Sequence, residues 1–136
     1  MKTERTAGEV SGPDNIAFLV WAATVEHPEL FVTPLVHALA ARALDCSVEI
    51  HFAGPAVRWL VEGVAADSYP TPCREKSILA FLRELADEGV LLLTCSMASA
   101  AWIKPGEVLI DECHGAVGAT AFVARTLDPA WRTAVF

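Results

Sequence analysis

Four cysteines, Cys46, Cys73, Cys95 and Cys113, carry most of the reactive chemistry this chain can offer. They are scattered, with no CxxC pair, and the one adjacent ligand pair is Cys113-His114. That spacing argues against a zinc site. Cys95 has the most favourable surroundings. It follows the apolar run Val90–Thr94 and precedes a helical stretch, Met97–Trp102. A cysteine between a buried strand and a helix lies near unpaired backbone N–H groups and the positive end of the helix dipole, and both favour thiolate over thiol. The chemistry implied is nucleophilic: thiol exchange, or oxidation by peroxide. A buried structural thiol is the competing reading of the same residue.

Other residues are candidates for the same crevice. Cys113 and His114 could reach Cys95 across it, Ser96 and Met97 would offer backbone N–H groups to an anion there, and Arg58 and Trp59 follow the second strand closely enough to line it. Cys73, beside Arg74 and Lys76 in a predicted loop, reads as an exposed thiol, and Cys46 as a core one. His51 alternates within a strand and reads as a satisfied or interface histidine. Asp111-Glu112 reads as a solvated turn.

The elements that must position these residues follow from periodicity. Ile16–Trp21 is a continuous apolar run, as a strand covered on both faces requires. Thr24–Val32 reads as a connection, and Thr33-Pro34 as the N-cap and first position of a helix reaching Leu44. Ser47–Phe52 alternates as a second strand. Gly54-Pro55 opens a helix over Ala56–Glu62, closed by Gly63, and Val64–Arg74 is a loop. Glu75–Glu88 places Ile78, Leu79, Leu82 and Leu85 on one helical face, with Gly89 as its stop. After the strand Val90–Thr94 and the helix Met97–Trp102, Lys104-Pro105-Gly106 is a break. Glu107–Cys113 is either a short strand or a helical turn. Gly115–Gly118 leads into a helix ending about Leu127, and Thr133–Phe136 is a closing strand. This order predicts an α/β fold: a three-layer α/β/α domain over residues 15–136, with a largely parallel sheet of about five strands, after a flexible lead-in over residues 1–14.

Composition bounds the partners. Of 136 residues, 54% are hydrophobic and 20% charged, more apolar content than a small monomer readily hides, so self-association is expected. A net charge of -7 without a basic patch argues against nucleic acid. No apolar run approaches the ~20 residues that span a bilayer, and Met1–Pro13 lacks the apolar core of a signal peptide. A cytoplasmic location is therefore expected, where thiols stay reduced.

Several segments together resemble the DsrE/DsrF-like family. They are Ile16–Trp21, Ala38–Asp45 running into Val48–Gly54 (VEIHFAG), Ala56–Gly63 (AVRWLVEG), Gly89–Ala98 (GVLLLTCSMA), Gly115–Val123 (GAVGATAFV) and the terminal TAVF. The resemblance covers nearly the whole chain from about Asn15, and its sharpest element is the cysteine after the strand led by Gly89-Val90. It implies a doubly covered, largely parallel sheet, assembly as a homo-oligomer (trimer or hexamer), and a persulfide on Cys95 passed between donor and acceptor proteins. No metal or organic cofactor is required. Two other readings stay open: a non-catalytic oligomeric domain whose small-ligand or partner site Cys95 merely lines, and a thiol peroxidase or redox sensor resolved by Cys73 or Cys113.

Overall fold

Every strand of the sheet runs parallel to its neighbours, as continuous apolar runs demand of strands covered on both faces. The computed structural model describes residues 14–136, so the lead-in expected over residues 1–14 lies outside the described residues apart from Asp14. The strands are β1 (Asn15–Val20), β2 (Ser47–Phe52), β3 (Leu91–Cys95), β4 (Cys113–Val117) and β5 (Trp131–Val135), in the order β4-β3-β2-β1-β5. The helices between them are α1 (Pro28–Ala43), α2 (Ile78–Asp87), α3 (Ser96–Trp102) and α4 (Ala119–Leu127), with a 3-10 segment at Gly54–Leu60. The fold is α/β, with helices on both faces of a five-stranded sheet.

The layers follow from the path of the chain. From β1 to β4 the chain moves steadily across the sheet, and crossovers of one hand put α1, α2, the 3-10 segment and α3 on one face. From β4 it returns past three strands to the far edge. The same hand in the opposite direction puts α4 on the other face. The core accordingly lies under the crowded face: Phe18, Val20, Ile50, Phe52 and Leu92 of the strands meet Phe31 and Leu35 of α1, Leu82 and Leu85 of α2, and Trp59. Among the described elements, the opposite face presents Ala17, Leu19, Glu49 and His51 to α4, and α4 buries none of its residues completely.

Five boundaries differ from expectation. Helix α1 starts at Pro28, which takes the first helical position with Glu29 beside it in the first turn. Phe31, Pro34, Leu35 and Ala38 form its buried stripe, so Pro34 is tolerated inside the helix because packing outweighs one missing hydrogen bond. The expected helix Ala56–Glu62 is a 3-10 segment ending at Leu60; Val61 leaves it to form an antiparallel bridge with Leu109. Helix α2 begins at Ile78, because Ser77 Oγ accepts the Ala80 N–H at 3.1 Å. Finally, Cys113–Val117 is a strand rather than a lead-in, and β5 begins at Trp131.

The turn from α2 into β3 fixes where the strand carrying Cys95 begins. The Gly89 N–H donates to Ala86 and the Val90 N–H to Leu85, each at 3.0 Å, the paired bonds of a Schellman cap. Gly89 sits at φ 88°, and a Cβ added there meets nothing within 4 Å. Gly89→Ala should therefore carry only the conformational cost of the left-handed region, about 1–2 kcal/mol. Urea unfolding checks this; an unchanged midpoint would remove the cap from the account of β3.

Candidate functional site

The chain leaves β3 toward the crowded face and leaves β4 toward the other. In an open parallel sheet, such a divergence between neighbouring strands opens a crevice outside their carboxyl ends. Cys95 occupies that point: it is the last residue of β3, the N-cap of α3, and the register partner of Val117 at the end of β4. A cavity of about 170 Å³ lies there beneath α4, space for several waters. Cys95, half-buried, lines it together with Leu19, His51, Val117, Phe122 and Val123. The walls are almost entirely apolar.

The sequence candidates divide. Ser96 flanks the cavity and donates its hydroxyl to the Val117 carbonyl at 3.1 Å, tying the start of α3 to the end of β4. Met97 is 82% exposed and points away from the core. Cys113 pairs with Leu92, three steps down the sheet from Cys95, and an odd offset places it on the opposite face. Burial there pushes the Cys113 thiol up, away from thiolate. His114 is exposed on edge strand β4 and does not line the cavity. Cys73 is exposed in its loop and Cys46 packs against the core; all four cysteines are free thiols.

Arg58 and Trp59 lie away from Cys95, contrary to expectation. Arg58 forms a two-pronged pair with Glu107 at 2.8 and 2.9 Å and donates to the Trp102 carbonyl, fastening the 3-10 segment to the α3 end. The Arg58 guanidinium, with help from the Lys104 N–H, holds the Glu107 carboxyl down at about 2. Trp59 is fully buried in the core, its indole N–H donating to Ala23 at 2.8 Å. The reason lies in the 3-10 segment, which turns both side chains onto the crowded face.

The polar side chain of the cavity wall is His51, which is only 4% exposed. Its Nε2 lies 2.9 Å from Glu49 Oε1, and Arg125 of α4 grips the same carboxylate through Nε at 3.2 Å and Nη2 at 2.7 Å. Arg125 in turn lies over the Trp131 ring at 3.9 Å, and Phe122 meets the His51 ring edge-on at 5.3 Å. Burial alone would raise the Glu49 carboxyl, but hydrogen bonds from Arg125 and His51 outweigh it and hold the group below its usual 4.5. Glu49 is therefore ionised at neutral pH and the His51 Nε2–H donates to it. The alternation of Ser47–Phe52 already put Glu49 and His51 on one strand face. What it lacked was any sign that α4 covers that face.

This network makes α4 sensitive to acid. The folded value of Glu49 is depressed, so its contribution is complete above about 4.5 and is lost as pH falls through the folded value. Thermal melts taken from neutral pH down through the carboxylate range should show a falling Tm, and the fall should be blunted in Glu49→Gln. An identical acid slope in that variant would show that Glu49 does not hold α4.

The model of the DsrE/DsrF-like family matches residues 16–121. Solved structures share the fold, among them these two. The ychN protein from E. coli is 18% identical with a TM-score of 0.71, the match covering 90% of this chain and 99% of that one. MTH1491, a protein of unknown function from Methanobacterium thermoautotrophicum, is 17% identical with a TM-score of 0.62, covering 90% and 98%. No curated protein matches by sequence. Among the described residues, no helix is long and apolar enough to cross a membrane. With the family model spanning more than three quarters of its length, from β1 into α4, the chain belongs to the DsrE/DsrF-like family.

Proposed function

We propose that the protein carries sulfane sulfur as a persulfide on Cys95 and passes it to a partner protein. The observation that supports this reading is the position of Cys95: at the divergence of β3 and β4, half-buried, opening into a small apolar cavity. A persulfide needs such shelter, because stray thiols discharge it. In loading, the Cys95 thiolate attacks the outer sulfur of a donor persulfide; the new S–S bond forms as the old one breaks, and the donor leaves as a thiolate. In unloading, an acceptor thiolate attacks the outer sulfur and Cys95 departs as thiolate. Neither step changes the total oxidation state, and neither uses a metal or organic cofactor. The working unit in this reading is a cytoplasmic homo-oligomer, a trimer or hexamer, which would cover large apolar side chains left open here, among them Met97 at 82% and Leu127 at 78% exposed.

A second reading, a small-ligand or partner-binding domain, is favoured by the apolar walls of the same cavity. Intact mass spectrometry after incubation with a sulfane-sulfur donor separates the two. A gain of one sulfur atom by the native chain, absent from Cys95→Ser, supports the carrier. No gain on either leaves the binding domain.

A further inference from the structure

Behind Cys95 stands a built polar relay that the sulfur-carrier reading leaves unused. In the register of β2 and β3, His51 is opposite Leu93, so Cys95 lies two residues further along on the same face. Neighbouring strands about 4.8 Å apart, with a rise of about 3.3 Å per residue, put the two backbones about 8 Å from each other. Both side chains line the one cavity. No direct hydrogen bond joins them, and a persulfide, whose outer sulfur stands about 2 Å beyond the cysteine sulfur, would narrow that gap. His51 Nε2 is committed to Glu49, while Nδ1 hydrogen-bonds no described residue, and the ring belongs to a residue that lines the cavity. With Nε2–H donating, a neutral ring leaves Nδ1 as an acceptor lone pair. Glu49 is itself fixed by both arms of Arg125.

We infer that His51 is the proton acceptor and donor for thiol chemistry at Cys95, with Glu49 and Arg125 as the positioning residues that hold its ring and tautomer. The inference rests on the sulfur-carrier reading only for the identity of the substrate. The arrangement follows the logic of a nucleophile, a base and a group that orients the base. In loading, the Cys95 thiol proton passes to His51 Nδ1 through a water or the incoming sulfur. The thiolate attacks the outer sulfur of the donor persulfide, and the departing donor thiolate takes the proton back from His51. One thiol and one persulfide go in, and one of each comes out. The charged and titratable groups facing His51 are Glu49 on its own strand, Arg125 on α4 and Cys95 on β3; β1 and β4 present apolar Leu19 and Val117.

The test uses iodoacetamide, a probe independent of sulfur carriage, with site-resolved mass spectrometry of the full chain across pH. Native Cys95 should show a rate step below the thiol's own. His51→Gln should lose that step and react on the order of tenfold more slowly at neutral pH, with exposed Cys73 unchanged. Glu49→Gln, which keeps an acceptor but not the charge, should move the step to lower pH. A purely structural role would shift all pH values by one factor and leave no step to lose. A native-like curve for Cys95 in His51→Gln overturns the inference. If that variant loosens the fold, seen as half-buried Cys113 becoming more reactive, Glu49→Gln decides, and an unmoved step there overturns it. Failure of persulfide loading with the His51-dependent step intact would sink the sulfur reading alone. Loading with a curve indifferent to His51 would sink the relay alone.

Discussion

Cys95→Ser is expected to take up no sulfane sulfur, while Cys113→Ser and Cys46→Ser load as the native chain does. The contrast comes from place. Cys113 lies three steps down the sheet on the face opposite Cys95, and burial pushes its thiol away from the reactive form. Cys46 packs against the core just before β2. Serine keeps the size of the side chain and its β-region backbone, so the fold should survive and the effect should be all-or-none at the sulfur. Cys73 is the informative control, because it is exposed and needs no cavity to react. Site-resolved mass spectrometry should find the added sulfur on Cys95 in the native chain. Sulfur found equally on Cys73 would mean that exposure, rather than the crevice, governs loading, and the carrier reading would fail.

The largest stability effect is expected at Trp59. The side chain is fully buried, stacks on Phe31 with ring centroids 4.8 Å apart and 20° between planes, and donates its N–H to the carbonyl of Ala23. Trp59→Ala removes an aromatic body that nothing nearby can replace. About 3–5 kcal/mol is the usual cost of such a truncation. The 3% exposed Ala23 would also lose its partner, and an unsatisfied buried carbonyl costs about 1–3 kcal/mol. Trp59→Phe restores most of the stack but not the hydrogen bond, so it should recover part of the loss and leave the carbonyl's share. Urea unfolding followed by circular dichroism measures both. A loss under about 1 kcal/mol for Trp59→Ala would mean that the core under α1 closes without its indole, against its packing here.

Much of this architecture was legible from local pattern. Buried runs gave β1 and β3 because strands covered on both faces need no alternation, alternation gave β2, and the 3–4 spacing of Ile78, Leu82 and Leu85 gave α2. Strand β4 was not legible: Cys-His-Gly-Ala-Val has no apolar run, and it pairs on one side only, through a ladder with an irregularity between Leu92 and Leu93. The start of α1 was misplaced because two prolines compete for the first helical position, and only packing of Phe31 under the helix decides between them. At the site, the strand-to-helix position of Cys95 could be read directly. The partnership of His51 with Glu49 could not, since a buried charge pair depends on Arg125, 76 positions away from Glu49, descending from α4. Arg58 was misassigned for the converse reason. Sequence proximity to a strand end says which edge of the sheet a residue occupies, but not which face.

The placement of β1 has a consequence for how a ribosome delivers this protein. β1 emerges first among the strands, yet one of its two flanks belongs to β5, which emerges last, and Asn15 is joined to Ala130 across 115 positions. While β2, β3 and β4 can add to the sheet as they are made, that flank waits unpaired. At roughly 5–20 residues per second, the wait lasts several seconds. For the same interval the mouth above Cys95 lacks its α4 roof, and the buried pair of Glu49 and His51 has no guanidinium to answer it. An open strand edge beside unroofed apolar surface is a template for another nascent chain. The vulnerable species of this protein is thus a half-made one, and its risk of aggregation grows with the time elongation takes to pass from β2 to β5.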